Sequence, residues 1–93
     1  MPYISERDRS EVDDIIEGII EKVTSSDNNK TEIDSSKIIY IFYKTLKKLY
    51  GGYGKGFLEK SDPIRILGCI EHEYYRKIIA PHEEIKIKEN GDI

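Results

Sequence analysis

Ser61-Asp62-Pro63-Ile64-Arg65-Ile66-Leu67-Gly68-Cys69-Ile70-Glu71-His72-Glu73-Tyr74-Tyr75-Arg76-Lys77-Ile78-Ile79-Ala80-Pro81-His82 is the stretch on which the fold turns. Ile64, Leu67, Ile70, Tyr74, Tyr75 and Ile78 fall on one face at helical spacing. Ser61 or Asp62 serves as N-cap, and Pro63 takes the first helical position, where its missing N–H is harmless. The pattern predicts a helix over 62–80. Glu71 falls in the middle of the apolar face, and a buried carboxylate there must be paired or hydrogen-bonded, because an unpaired charge is costly to bury. Tyrosine hydroxyls and a lysine from the preceding helix are its candidate partners. Pro81 marks a break, and the period-two alternation of Ile85-Lys86-Ile87-Lys88 predicts an extended arm over 82–93, with Asn90-Gly91 as a turn signal.

Upstream, Ile38, Ile39, Ile41, Phe42, Thr45, Leu46 and Leu49 predict a helix over 35–50, stopped at Gly51-Gly52 by a left-handed glycine cap. The run Ile38-Ile39-Tyr40-Ile41-Phe42-Tyr43 is strand-like in composition. Lys44, Lys47 and Lys48 nevertheless cluster on one helical face, and the apolar arc from Ile41 round to Tyr43 and Tyr50 is wider than one packing stripe needs. Such a helix is covered on more than one side. Gly51-Gly52-Tyr53-Gly54-Lys55-Gly56 reads as an interhelical loop. It lacks the strand before it and the Ser/Thr after the lysine that a phosphate loop requires. At the other end, Val12, Ile15, Ile16, Ile19, Ile20 and Val23 line one stripe of a helix over 10–24, while Asp13, Asp14, Glu17 and Glu21 face away. Ser5, with Asp8 at capping-box spacing, or Ser10 caps it, and Ser25-Ser26-Asp27-Asn28-Asn29 ends it.

The expected architecture is therefore an all-α, three-helix domain spanning 1–93 with a C-terminal extended arm. At 93 residues a domain buries only about 60–65 % of its unfolded surface. That thin margin and the wide arc on the second helix imply a homo-oligomer built on dimers. A net charge of −3 gives no global case for duplex nucleic acid. The lone Cys69 makes no internal disulfide, and no apolar run is long enough to span a bilayer. A cytoplasmic location, with no membrane partner, is expected.

His72-Glu73-Tyr74-Tyr75-Arg76 resembles the start of a zinc-protease helix, but Arg76 stands where the second histidine ligand must be. No metal site is expected. Glu71, Glu73 and His72 have no nucleophile or oxyanion device beside them, so no catalytic residue and no cofactor are expected either. The tyrosines lead elsewhere. Tyr43 and Lys47 on the second helix, Tyr74, Tyr75, Arg76 and Lys77 on the third, and Lys86, Lys88 and Asn90 on the arm combine aromatic faces, cations and a polar amide. These, with Glu71 orienting them, are the candidate ligand-binding residues. Aromatics beside cations suit a base-plus-phosphate ligand, and they also suit a protein interface.

Met1-Pro2-Tyr3-Ile4-Ser5 with Arg9, Ile70-Glu71 through Tyr75-Arg76-Lys77, Ala80-Pro81-His82-Glu83, and Lys86-Ile87-Lys88-Glu89-Asn90-Gly91-Asp92 together resemble a small domain-of-unknown-function family of tailed phages and scattered archaea and bacteria. His82 stands where that family has Tyr and Lys77 where it has Arg, and Ile93 is not followed by the family's aromatic. The stretch from Ser25 to Lys60 matches only loosely. The resemblance carries over no catalytic residue and implies a phage or mobile-element setting, hence the cytoplasm of a host cell. In size and helix pattern the chain is also similar to phage anti-defence sponges, which sequester signalling nucleotides. The function expected first is sequestration of a small anionic, nucleotide-derived ligand at an oligomer interface. The alternative is an interaction module that inhibits or docks onto a host or phage protein.

Overall fold

The computed structural model describes residues 4–92, so Met1-Pro2-Tyr3 of the family-like opening and Ile93 lie outside the described residues. The chain divides into two units, Met1–Leu49 and Tyr50–Ile93.

In the first unit, helix α1 (Glu6–Val23) starts four residues earlier than the apolar stripe alone suggests. Ser5 is the N-cap: its side chain accepts from the Asp8 N–H at 3.2 Å, and Glu6 and Asp8 sit in the first turn, where the helix dipole favours carboxylates. Ser10 instead lies inside the helix, donating to Arg7 O. Two short strands follow, β1 (Thr24–Asp27) and β2 (Lys30–Ile33), paired antiparallel with Thr24 opposite Ile33 and Asp27 opposite Lys30. This hairpin corrects the all-α expectation. Asn28 and Asn29 adopt φ of 50° and 65°, the doubly left-handed conformation that two-residue hairpin turns demand and asparagine tolerates.

The hairpin places the end of α1 beside the start of helix α2 (Ser35–Tyr50), as expected over 35–50. Asp34 N–H donates to Val23 O at 2.8 Å, and the Asp34 carboxylate caps α2 by accepting from Lys37 N–H at 3.2 Å. Val23, at this junction, is the only buried apolar residue among those described, at 6 % exposure. The stripes of both helices remain open: Ile15 is 61 % and Ile39 68 % exposed.

The second unit opens with a turn in which Lys55 N–H reaches Gly52 O at 3.2 Å and Gly54 takes φ 87°. The left-handed glycine is thus Gly54, and the cap expected at Gly51-Gly52 does not form. One continuous helical path then runs from 57 to 90 as α3 (Phe57–Tyr74), a π-helical segment (Tyr75–Ile79) and α4 (Ala80–Asn90). Its start lies five residues before the expected one, after Gly56, with Glu59 in the first turn and a Lys55–Glu59 ion pair at 3.2 Å. Pro63 is therefore inside the helix instead of opening it.

Residues 80–90 are helical, which corrects the extended arm. A four-residue alternation is a weak strand signal, and here it competes with features that favour helix. Glu83 lies in the first turn and Lys88 in the last, and Lys86 pairs with Glu89 at 3.2 Å. Asn90-Gly91 is the stop: Gly91, at φ 82°, donates its N–H to Ile87 O at 2.8 Å. Pro81 fails to break the path because of the π segment before it. Ala80 N–H already bonds back five residues to Tyr75 O, so Pro81 falls in the first turn of α4, where the absent N–H costs least.

Candidate functional site

The described surface presents its chemistry in two places, one in each unit. On α2, Lys44 Nζ donates to Tyr40 OH at 2.9 Å and lies 5.3 Å from that ring's centroid, and Lys47 Nζ lies 5.9 Å from the centroid of Tyr43. Both pairs follow from i, i+4 spacing on a helix. The hydrogen bond from Lys44, then its charge and that of Lys48, hold the Tyr40 phenol below its ordinary value, and the Lys44 ammonium is raised by the same bond. Tyr43 and Lys47 are thus brought together as the sequence suggests. Tyr40 and Lys44 form the better-defined pair, and the same spacing rule could have promoted them.

In the second unit Tyr75, Arg76 and Lys86 are each paired with a carboxylate. Tyr75 OH donates to Glu83 Oε2 at 2.9 Å, Arg76 bonds Glu73, and Lys86 holds Glu89. The Glu83 hydrogen bond and its negative charge push the Tyr75 phenol above its ordinary value. Glu71 is exposed, so nothing in the chain obliges it to be paired, contrary to the expectation for a carboxylate on a covered face. Tyr74, Lys77, Lys88 and Asn90 are likewise exposed. A shallow, open depression lies further along α4, lined by His82, Glu83, Lys86, Ile87 and Gly91.

Glu73, Glu83 and Glu89 are the partners of these candidates that sequence reasoning missed. Glu73–Arg76 and Lys86–Glu89 were legible as i, i+3 pairs. Tyr75–Glu83 was not, since positions eight apart stand roughly 80° apart around an ideal α-helix. The wider π turn rotates each residue less and closes that gap. Among the described residues, no group of three His, Cys, Asp or Glu side chains is placed to hold a metal ion, and no helix is long and apolar enough to cross a membrane.

No curated protein and no solved structure matches the chain. A family model matches it from end to end, in keeping with the family-like sequence at both ends, and the chain accordingly belongs over residues 1–93 to the family described as a domain of unknown function, DUF6899.

Proposed function

We propose that the chain is a non-enzymatic, self-assembling interaction protein that works by presenting helical surfaces to other protein surfaces, its own copies first. One observation carries this. The helical path from 57 to 90 is the only regular element of its unit, yet Leu67, Ile70, Tyr74 and Ile78 are 45–56 % exposed along it. Within its own unit the helix has no second element to bury such side chains against, and these half-exposed ones realise only part of the about 1.5–3 kcal/mol that full burial of a Leu or Ile gives. Units of about 40 residues or fewer usually need a disulfide, a metal or oligomerisation to be stable. The single Cys69 leaves oligomerisation as the natural route here. Light scattering at micromolar concentration should give a mass above that of the 10.8 kDa chain, and Leu67→Asp should lower it. A folded, fully helical monomer at that concentration would end the proposal.

A ligand-binding role for the same assembly is favoured by the two Tyr–Lys pairs of α2, which set aromatic faces beside ammonium groups. They suit a small anionic, nucleotide-derived ligand, stacked by tyrosine and neutralised by lysine, and the sponge-like size of the chain suits sequestration in anti-defence. Such a role would belong in the cytoplasm of a phage-infected cell. Thermal-shift screening against cyclic dinucleotides and ADP-ribose derivatives checks it, since ligand at 100 times Kd stabilises by about 2.7 kcal/mol. No shift with any of them would leave the protein-interaction role alone.

A further inference from the structure

We infer that α1 of one copy packs on α2 of a second copy, a contact that rests on the self-assembly proposed above and adds a specific, charge-matched seam within the first unit. Both helices leave their apolar stripes open: Val12, Ile16 and Ile20 of α1 are 39–48 % exposed, and Phe42 of α2 is 49 % exposed. The two are matched in length, at 18 and 16 residues, about 27 and 24 Å, so either can cover the other's stripe.

Charge identifies the occupant. α1 is dominated by carboxylates, whereas α2 carries Lys37, Lys44, Lys47 and Lys48 and no carboxylate at all. Projected around each axis, Asp13 and Glu17 border one edge of the α1 stripe, and Glu11 shares the other edge with Lys22. On α2, Lys37 and Lys48 border one edge and Lys47 the other. A second α1 laid on α1 would set no lysine-rich edge against Asp13 and Glu17, and α2 on α2 would oppose lysine to lysine. α1 against α2 buries two apolar stripes while setting lysines against Asp13 and Glu17 along one margin and against Glu11, beside Lys22, along the other. Within one chain the two stripes stay exposed, while a second copy supplies both halves of the contact.

Charge reversal tests this. One variant carries Glu11→Lys, Asp13→Lys and Glu17→Lys, and the other carries Lys37→Glu, Lys47→Glu and Lys48→Glu. The substituted residues are exposed, and retained helical circular dichroism shows that each variant folds. At low ionic strength each variant alone should self-associate about tenfold or more weakly than the wild type in sedimentation velocity. An equimolar mixture should recover the wild-type association, because the basic α1 of one variant meets the acidic α2 of the other and the unmodified helices meet likewise. If neither variant weakens association, or if the mixture stays as weak as its components, the α1–α2 seam is wrong. Wild-type assembly with unaffected variants leaves self-assembly through the long helix standing. A helical, monomeric wild type removes both.

Discussion

Tyr75 and Tyr40 are the same side chain shifted in opposite directions by their charged neighbours. Tyr75 donates to the Glu83 carboxylate, which needs the neutral phenol and raises its proton affinity above the ordinary 10.0. The folded state therefore gains from this bond at every pH below the ordinary value, and loses it as pH climbs through the raised one. Tyr40 accepts from Lys44 and is lowered from 10.0, so its contribution appears above the ordinary value and is lost as pH falls through the lowered one. Both groups are solvent-exposed, which keeps these contributions small. In an ultraviolet titration of the tyrosines, Tyr40→Phe should remove an early component and Tyr75→Phe a late one. A titration curve whose late end survives Tyr75→Phe would mean that the Glu83 bond is not populated in solution. Asn29 makes a second test at this scale. At φ 65° it occupies a conformation that costs most L-residues about 1–2 kcal/mol. Asn29→Val should destabilise the hairpin by that order in a denaturant titration, while Asn29→Gly should hold or raise its stability. The dipeptide Asn28-Asn29 was visible in the sequence as a helix stop. Its role as a hairpin turn was masked because Thr24-Ser25-Ser26-Asp27 and Lys30-Thr31-Glu32 are polar and carry no alternation of hydrophobic residues.

Helices were legible where a long stripe repeated, and boundaries were lost where one local residue was given too much authority. α2 sits where its apolar spacing and Asp34-Ser35 place it, and α1 is capped by the serine that its capping-box spacing marks. Pro63 and Pro81 were the misleading signals. Each was read as a boundary, and the chain carries helix past both. At Pro81 the accommodation has a physical form, since the π segment shifts the hydrogen-bond pattern just upstream. No sequence period announces such a segment, because it is an answer to a missing donor and not a pattern of its own. Restoring the donor should therefore remove it. Pro81→Ala should let 75–79 relax to ordinary i→i−4 bonding and increase helical circular dichroism. It should also return the Tyr75 titration towards its ordinary position, because Glu83 would then rotate away. Unchanged tyrosine titration in Pro81→Ala would show that something other than the proline fixes the π turn. Gly91 closes the same helix at φ 82°, so Gly91→Ala should fray the last turn at a cost of about 1 kcal/mol.

At the scale of the whole molecule, what the sequence encodes clearly is which faces are apolar, and what it leaves out is what covers them. Periodicity marks Ile64, Leu67, Ile70, Tyr74 and Ile78 as one stripe, and all five are exposed; what packs against a stripe is not something that spacing within 57–90 can specify. The candidate site suffers the same loss. Glu71 was given buried partners on the assumption of an intrachain core, and in its exposed position it has no need of them. If burial of the long helix comes only with association, unfolding and dissociation are one process. Stability then depends on protein concentration, because mass action adds about 1.4 kcal/mol for each tenfold increase in a partner that binds only the folded state. The thermal midpoint should accordingly rise across a hundredfold concentration series, and helical circular dichroism should fall on dilution. Leu67→Asp should flatten the series by removing the association that creates it. A wild-type midpoint that stays constant over that range, with helicity intact at the lowest concentration, would mean that each chain is stable by itself, and that its exposed stripe is kept for a different partner.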